Sequence, residues 1–479
     1  MSLKKQALSG VKWTFIQQFG VQGIGFIVSI ILARLLEPEE FGLIGMLAIF
    51  IGIGNALLNA GLGSSLIRSK EVSEEDYATV FYFNLVISII IYAVIYFLAP
   101  LIADFYHQEI LIKLVRWLTL TFIINAFAII QTTRLTKIMD FKTQTIVAIP
   151  SLIIGGIVGV TMAYLNYGVW SLIGFNLVKT LASTIQLWIH SKWKPLLVFN
   201  KELFKKHFNF GYKLTLSSLL DTIFTNAYNI IIGKFFPVAQ LGFYQRANSL
   251  QMYPVGTINA IMAKVTYPLF AQIQDDNTRL KSIYKKILQM NIYILAPLLI
   301  VAGVLAEPLF RFLLTEKWLP AVPYFQIILV TGILYPIHAF NLNILNVKGR
   351  SDLFLTLEII KKIMIIIVIA IGINYGILGL LYGRIVTSVL AFFINTHYSG
   401  KFIDYSAWEQ IKDVSSIFIL SIITGLIIFI FDYYTKNAIH YDFLRLVISS
   451  ILGFIIYVSL SYTFKLNSLT EIINIIKKR

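Results

Sequence analysis

The stretch Ile30-Ile31-Leu32-Ala33-Arg34-Leu35-Leu36, followed by Pro38, Phe41 and Gly42, returns 200 positions later as Ile230-Ile231-Ile232-Gly233-Lys234-Phe235-Phe236, followed by Pro237, Leu241 and Gly242. Each copy ends an apolar run in a small residue, a cation and two large apolar residues, then passes a proline into the next apolar run. Other positions echo at nearby offsets. Asn166-Tyr167-Gly168 matches Asn374-Tyr375-Gly376 at an offset of 208, and Gly10 and Lys12 match Gly211 and Lys213 at an offset of 201. A duplicated membrane unit is the reading, spans one to six and spans seven to twelve. An even number of spans per copy gives both the same orientation, with a pseudo-twofold axis along the membrane normal, the layout that permits alternating access between two bundles.

The composition sets the class. Of 479 residues, 57% are hydrophobic and only 13% charged, with a mean hydropathy of +0.77, so the expected fold is an all-α polytopic membrane protein. About fourteen stretches reach the roughly 20 apolar residues that a helix needs to cross a bilayer. Their cores lie near 11–33, 42–66, 79–103, 111–133, 145–165, 168–190, 210–233, 242–268, 288–307, 322–345, 356–373, 376–399, 414–433 and 442–464. Spans thirteen and fourteen fall outside the duplication. The domain reading is an N-terminal six-helix bundle over 1–190, a basic amphipathic linker over 191–209, a C-terminal bundle over 210–400, and two further spans with a basic tail over 401–479.

The cations test this topology. Of 40 Lys and Arg, about 28 fall on the side of the two termini, about 8 on the opposite side, and four (Lys179, Arg246, Lys264 and Arg384) inside spans. Cytoplasmic loops hold the excess, so both termini are expected in the cytoplasm. Lys4, Lys5 and Lys12 precede a long apolar run with no small-residue cleavage site, which reads as a retained first helix rather than a signal peptide. The net charge of +16 therefore belongs to membrane topology, and no nucleic-acid partner is expected. Cysteine is absent, which excludes disulfides, thiolate metal sites and cysteine nucleophiles. The six histidines show no pair at metal-ligand spacing, so neither metal nor cofactor is expected. In the linker, Lys192, Lys194, Lys201, Lys205 and Lys206 interleave with Trp193, Leu196, Phe199, Leu203, Phe204 and Phe208. That pattern suits a segment lying on the cytoplasmic membrane surface against anionic lipid; a plain positive linker suits it equally.

Charges inside spans cost about 2.5–3.5 kcal/mol near the helix centre and therefore face a cavity or a partner. Arg246 and Lys264 lie close enough to the ends of their spans to snorkel. Lys179 and Arg384 lie deeper, each in the last span of its half, and Asp221 in span seven is the one carboxylate read as deep. It can neutralise a single cation. Ser218, Asp221, Thr222, Thr225 and Asn229 share one face of span seven, while Gln18 and Gln22 of span one align with Ser218 and Thr222 at the 200-residue offset. His338, Asn341 and Asn346 surround Pro336 in span ten, where a kink would free backbone groups toward a lumen. Asn59 and Asn259, which also align, suit interhelical hydrogen bonding, and Gly155 and Gly159 suit close helix packing. The halves share turns and small residues but not charges, since Asp221, Arg246 and Lys264 align with Val21, Met46 and Ser64. A cationic cavity selects an anion such as phosphate or pyrophosphate, and a row of amides and hydroxyls suits sugars. Arg34 and Lys234, at the outer ends of their spans, read as interface anchors.

Several motifs resemble the polysaccharide-exporter flippases of the multidrug, oligosaccharidyl-lipid and polysaccharide exporter superfamily. They are Gly10 to Trp13, Leu32 to Leu36 with Pro38, Phe41 and Gly42, Gly61-Leu62, Met139-Asp140-Phe141-Lys142, Leu241 to Tyr244 with Arg246 and Ala247, Tyr267-Pro268-Leu269 and Gly349-Arg350. The resemblance implies a fold similar to multidrug and toxin extruders. It also implies transport of undecaprenyl-pyrophosphate-linked oligosaccharide across a bacterial inner membrane, with membrane lipids and glycan-assembly enzymes as candidate partners. It transfers no universal site motif. A cation-coupled drug or small-solute antiporter of the same fold is the alternative; it would be expected to keep a carboxylate in span one, where this chain has glutamines. A membrane enzyme such as a polymerase or ligase would need a sizeable outer loop carrying catalytic residues, and the connections read here are short.

Overall fold

The computed structural model describes residues 3–59 and 61–477, and the side chains of these except 3–12, 260–265 and 475–476. Every element among them is helical, and the chain divides into two compact units, 1–242 and 243–479. Eleven stretches among the described residues are long and apolar enough to cross a membrane. One of these, Ser351–Ile403, holds two helices.

The first unit holds α1 (Leu3–Leu35), α2 (Pro38–Asn59), α3 (Leu62–Arg68), α4 (Glu74–Tyr106), α5 (Ile110–Leu118), α6 (Leu120–Lys137), α7 (Phe141–Tyr164), α8 (Trp170–Ser191), α9 (Lys201–Thr225) and α10 (Ala227–Phe235), and α11 (Val238–Gln272) starts here. Local chemistry sets the boundaries. Ser73 opens α4 with a capping box, its hydroxyl accepting from the Asp76 amide at 3.2 Å while the Asp76 carboxylate accepts from the Ser73 amide at 2.8 Å. Asp140 caps α7 by accepting from the Thr143 amide. The first Asn-Tyr-Gly turn uses left-handed backbone at Asn166 and Gly168, but in its echo only Gly376 has positive φ. Val86, Ile90, Val94, Phe97 and Leu101 leave an exposed apolar stripe along α4, as expected of a lipid-facing side.

The two copies of the opening motif touch. A Cβ built on Gly42 would lie 2.1 Å from the Val238 carbonyl oxygen, and one built on Gly242 would lie 1.9 Å from the Pro38 carbonyl oxygen. Pro38 and Val238, like Gly42 and Gly242, are 200 positions apart, so the contact is reciprocal in the manner of an isologous interface. Glycine is required here because backbone meets backbone.

At the other end of the unit, α9 is clamped to α3 and α4. His207, fully buried, places Nε2 2.8 Å from Asp76 Oδ1 and Nδ1 2.8 Å from Ser65 Oγ, with Lys206 Nζ 3.9 Å from the same carboxylate oxygen. Gly61, at φ +62°, lets α9 approach closely, because a Cβ there would meet the Gly211 carbonyl at 2.6 Å. His207→Ala is expected to strand a buried carboxylate and a buried hydroxyl, costing about 3 kcal/mol. The check is a lower melting temperature in detergent, with His207→Gln less damaging. Equal melting of all three proteins would remove the clamp from the account.

The second unit holds α12 (Asn277–Val304), α13 (Ala306–Leu314), α14 (Val322–Val347), α15 (Ser351–Gly372), α16 (Gly376–Ile403), α17 (Ala407–Thr435), α18 (Asp442–Thr463) and α19 (Asn467–Lys477). Its polar hub is Asn341 on α14, fully buried. Asn341 Nδ2 donates to the Ile337 carbonyl at 3.0 Å, to Gln410 Oε1 at 3.2 Å and to Thr396 Oγ1 at 3.3 Å. Its Oδ1 accepts from Ser399 at 2.6 Å and from Gln410 Nε2 at 3.2 Å. The hub ties α14 to α16 and α17, where an apolar medium makes unmade hydrogen bonds costly.

Candidate functional site

In the first unit the central cation is Lys179. It lies nine residues after the start of α8 and twelve before its end, roughly 14 and 18 Å along the helix axis. Its stem crosses the face of α7 at Gly155, where a Cβ would come within 2.7 Å of Lys179 Cβ, and Gly159 admits Phe175 in the same way. The two glycines are therefore the close-packing positions expected from the sequence. The ammonium lies 5.4 Å from the centre of the Phe175 ring, and among the described residues no carboxylate pairs with it. A ring face stabilises a cation by about 0.5–2 kcal/mol, well short of what a carboxylate would supply in the same surroundings.

The polar face of span seven is split by the structure. Ser218, Asp221 and Thr225 on α9 are exposed, whereas Thr222 turns to α2, with its methyl 2.6 Å from where a Cβ on Gly52 would sit. The span itself is two helices. α9 stops at Asn226, whose side chain donates to the Thr222 carbonyl at 2.9 Å and accepts from Asn229 at 3.0 Å. Gln18 and Gln22 are half-buried on α1. Asn59 and Asn259 donate to carbonyls one turn back in their own helices, which is not the interhelical bonding expected of them. Lys234 sits over the Phe105 ring at 4.8 Å and 3.2 Å from His107 Nε2, at the ends of α10 and α4.

The second unit has its own cations. Arg384, eight residues into α16, donates from Nη1 to Tyr244 Oη and to Asn248 Oδ1, both at 3.2 Å. Arg246 does not snorkel. Its helix starts at Val238, four residues before the expected span, so Arg246 lies about 12 Å from that end. It is 5% exposed, with its guanidinium 5.5 Å from the buried Trp318 ring. His338 on α14 places Nε2 2.9 Å from Ser388 Oγ on α16, and Ser388 stands one turn beyond Arg384. Asn341, read as a cavity residue, is instead saturated within the packing hub. The side chain of Lys264 lies outside the described residues.

Three intramembrane charges escaped the sequence reading. Glu358 lies seven residues into α15, Lys361 ten and Lys362 eleven, and Glu358 and Lys361 form an ion pair at 25% and 15% side-chain exposure. Asp221 is therefore not the only carboxylate within a span. Lys361 and Lys362 lie inside the expected span over 356–373 yet fall among the loop cations in the sequence count; the Ile-rich run on both sides of them was the available signal.

Ser65, His207 and Asp76 form a hydrogen-bonded row with the chemistry of a hydrolase triad. At 6%, 0% and 4% exposure they are sealed from any substrate, and the row serves to hold α9.

Fold and site together define a polytopic α-helical membrane protein that carries cations in the middle of its helices. Residues 31–323, more than half of the chain, match the profile of a family described as polysaccharide biosynthesis protein, and the chain belongs to that family. Relatives include the lipopolysaccharide biosynthesis protein WzxC of Escherichia coli, 25% identical over 82% of each chain. Another is the teichuronic acid biosynthesis protein TuaB of Bacillus subtilis, 27% identical over 74% of this chain and 73% of the relative. Among solved structures, the inward closed lipid II flippase MurJ superposes with a TM-score of 0.76 at 15% identity, covering 95% of this chain and 98% of its own. An inward-facing multidrug transporter of the MATE family superposes with a TM-score of 0.62 at 16% identity, covering 83% and 99%. The fold is thus the one shared by these flippases and extruders.

Proposed function

We propose that this protein is a flippase that carries an undecaprenyl-pyrophosphate-linked oligosaccharide from the cytoplasmic to the outer leaflet of a bacterial inner membrane by alternating access, with both termini in the cytoplasm. The observation that carries this reading is Lys179, a cation at mid-helix held by a ring face and a glycine groove and paired with no carboxylate among the described residues. A pyrophosphate supplies the missing counter-charge, and an ammonium binds it as a point charge. Arg384 and Arg246 offer further cations in the second unit, while Gln18, Gln22, Ser218, Thr225 and Asn229 offer hydroxyls and amides suited to sugar. The names of WzxC, TuaB and MurJ point the same way.

One observation favours a second reading, a cation-coupled antiporter: Asp221 is an exposed carboxylate on the polar face of α9. Complementation separates the two. Expressed in a bacterium lacking its own exporter but still making the lipid-linked repeat unit, the protein is expected to restore surface glycan. An unrestored surface with the protein present in the membrane, together with a raised tolerance to cationic drugs, would favour the antiporter.

A further inference from the structure

The segment between α8 and α9 is built unlike an ordinary connection. Lys192 closes α8 in left-handed backbone, φ 52°, and turns the chain away from the helix axis. Trp193, the most amphipathic residue of the segment, does not reach outward. It is 5% exposed, its indole Nε1 donates to Glu74 at 2.6 Å, and it packs edge-on to Tyr77 and Phe81 at 6.4 and 5.8 Å. At the other end the Asn200 amide donates to Thr79 Oγ1 at 3.1 Å, and the Asn200 side chain caps α9. The segment is thus pinned to α4 at both ends.

Between the pins stand Leu196, Leu197, Val198 and Phe199, at 47%, 93%, 41% and 47% exposure. Four consecutive exposed apolar residues are costly in water and mark an interaction surface. Exposed lysines flank them on both sides, Lys192 and Lys194 before and Lys201, Lys205 and Lys206 after, with Glu202 the single acid of the segment. The segment leaves directly from α8, a helix of spanning length and hydropathy, so its apolar residues start at the membrane surface. From this we infer that residues 196–199 form a fixed wedge in the interfacial layer of the bilayer, and that the flanking lysines select anionic lipid headgroups around it. The pins keep the wedge in place, and the same chain continues into α9, so the bound lipid bears on the helix that carries Ser218, Asp221 and Thr225.

The chain has no cysteine, so Leu197→Cys provides a unique labelling site for an environment-sensitive nitrobenzoxadiazole probe, with Leu196→Cys as a second position. In nanodiscs containing phosphatidylglycerol, the probe is expected to emit at shorter wavelength and to be quenched by shallow nitroxide-labelled phosphatidylglycerol more than by the matching phosphatidylcholine. Each lysine contributes about fivefold to local enrichment of anionic lipid. Combining Lys192→Gln, Lys194→Gln, Lys201→Gln and Lys205→Gln is therefore expected to lower that preference by at least about tenfold while leaving the melting temperature unchanged. A probe quenched by aqueous iodide and untouched by labelled lipid would overturn the wedge. Equal quenching by the two headgroups, indifferent to the lysines, would overturn the anionic selection, as would protection of the probe only on adding a soluble cytosolic protein.

Discussion

Gly42→Ala is expected to destabilise the protein by about 3 kcal/mol or more and to lower its level in the membrane severely, although it adds one methyl group. Overpacked sites in a well-packed interior cost about 1–3 kcal/mol when side chains can yield. Here the opposing atom is a backbone carbonyl, that of Val238, at 2.1 Å from the new carbon, so a helix must move instead. Gly242→Ala should do the same against the Pro38 carbonyl. Because the two clashes open the same interface, the double variant should cost less than the two single effects combined. Gly23→Ala on α1 is the control, since a Cβ there meets nothing within 4 Å and alanine favours helix by up to about 1 kcal/mol. Melting in detergent and the folded yield after extraction measure all four. If Gly42→Ala melted with Gly23→Ala, the reciprocal contact would not be holding the motif copies together.

The second large effect concerns function without fold. Lys179→Ala keeps the Cβ that lies against Gly155 and removes only the stem and charge, so the α7–α8 packing should survive. A charge-assisted hydrogen bond contributes about 1.5–3 kcal/mol net, which corresponds to a ten- to hundredfold loss in transport of a pyrophosphate-linked substrate. Lys179→Glu places like charge against the anion and should abolish export. Arg384→Lys keeps the charge but has a shorter reach to Tyr244 Oη and Asn248 Oδ1, both of which accept from Nη1; it should fall between wild type and Arg384→Ala. Surface glycan in the complemented strain reads these differences, and unchanged melting of the purified variants separates them from misfolding.

What was legible in the sequence was whatever repeats or alternates locally. The opening echo read as a duplicated unit; that Gly42 and Gly242 each meet backbone of the other copy was not legible in it and comes from the structure. The close-packing glycines on α7 were legible because small residues four apart mark a helix interface. Long-range partnerships were not. Asn341 read as a lumen residue because its partners Gln410, Thr396 and Ser399 lie 55 to 69 positions away, and nothing local distinguishes a saturated amide from a solvated one. Trp193 read as an interfacial residue for the same reason, since its indole partner Glu74 lies 119 positions earlier. In the sequence the start of α11 reads four residues late, which moves Arg246 toward a snorkelling depth it does not occupy. Lys361 and Lys362, within the expected span over 356–373, read with the adjoining loop because two adjacent lysines look like a span boundary. The split of span seven at Asn226 was hidden because Asn at the centre of a polar stripe looks like one more polar residue.

On the proposed reading, mid-helix cations hold a pyrophosphate-linked glycan lipid during its passage between leaflets. The most direct measurement reconstitutes the purified protein in vesicles with a fluorescent undecaprenyl-pyrophosphate oligosaccharide and follows its accessibility to an impermeant lectin. Wild type should expose the substrate initially confined to the inner leaflet, Lys179→Ala should slow that exposure by about ten- to hundredfold, and an uncharged polyprenyl glycoside should be a poor substrate for both. Equal rates for wild type and Lys179→Ala, or no dependence on the pyrophosphate, would contradict the account.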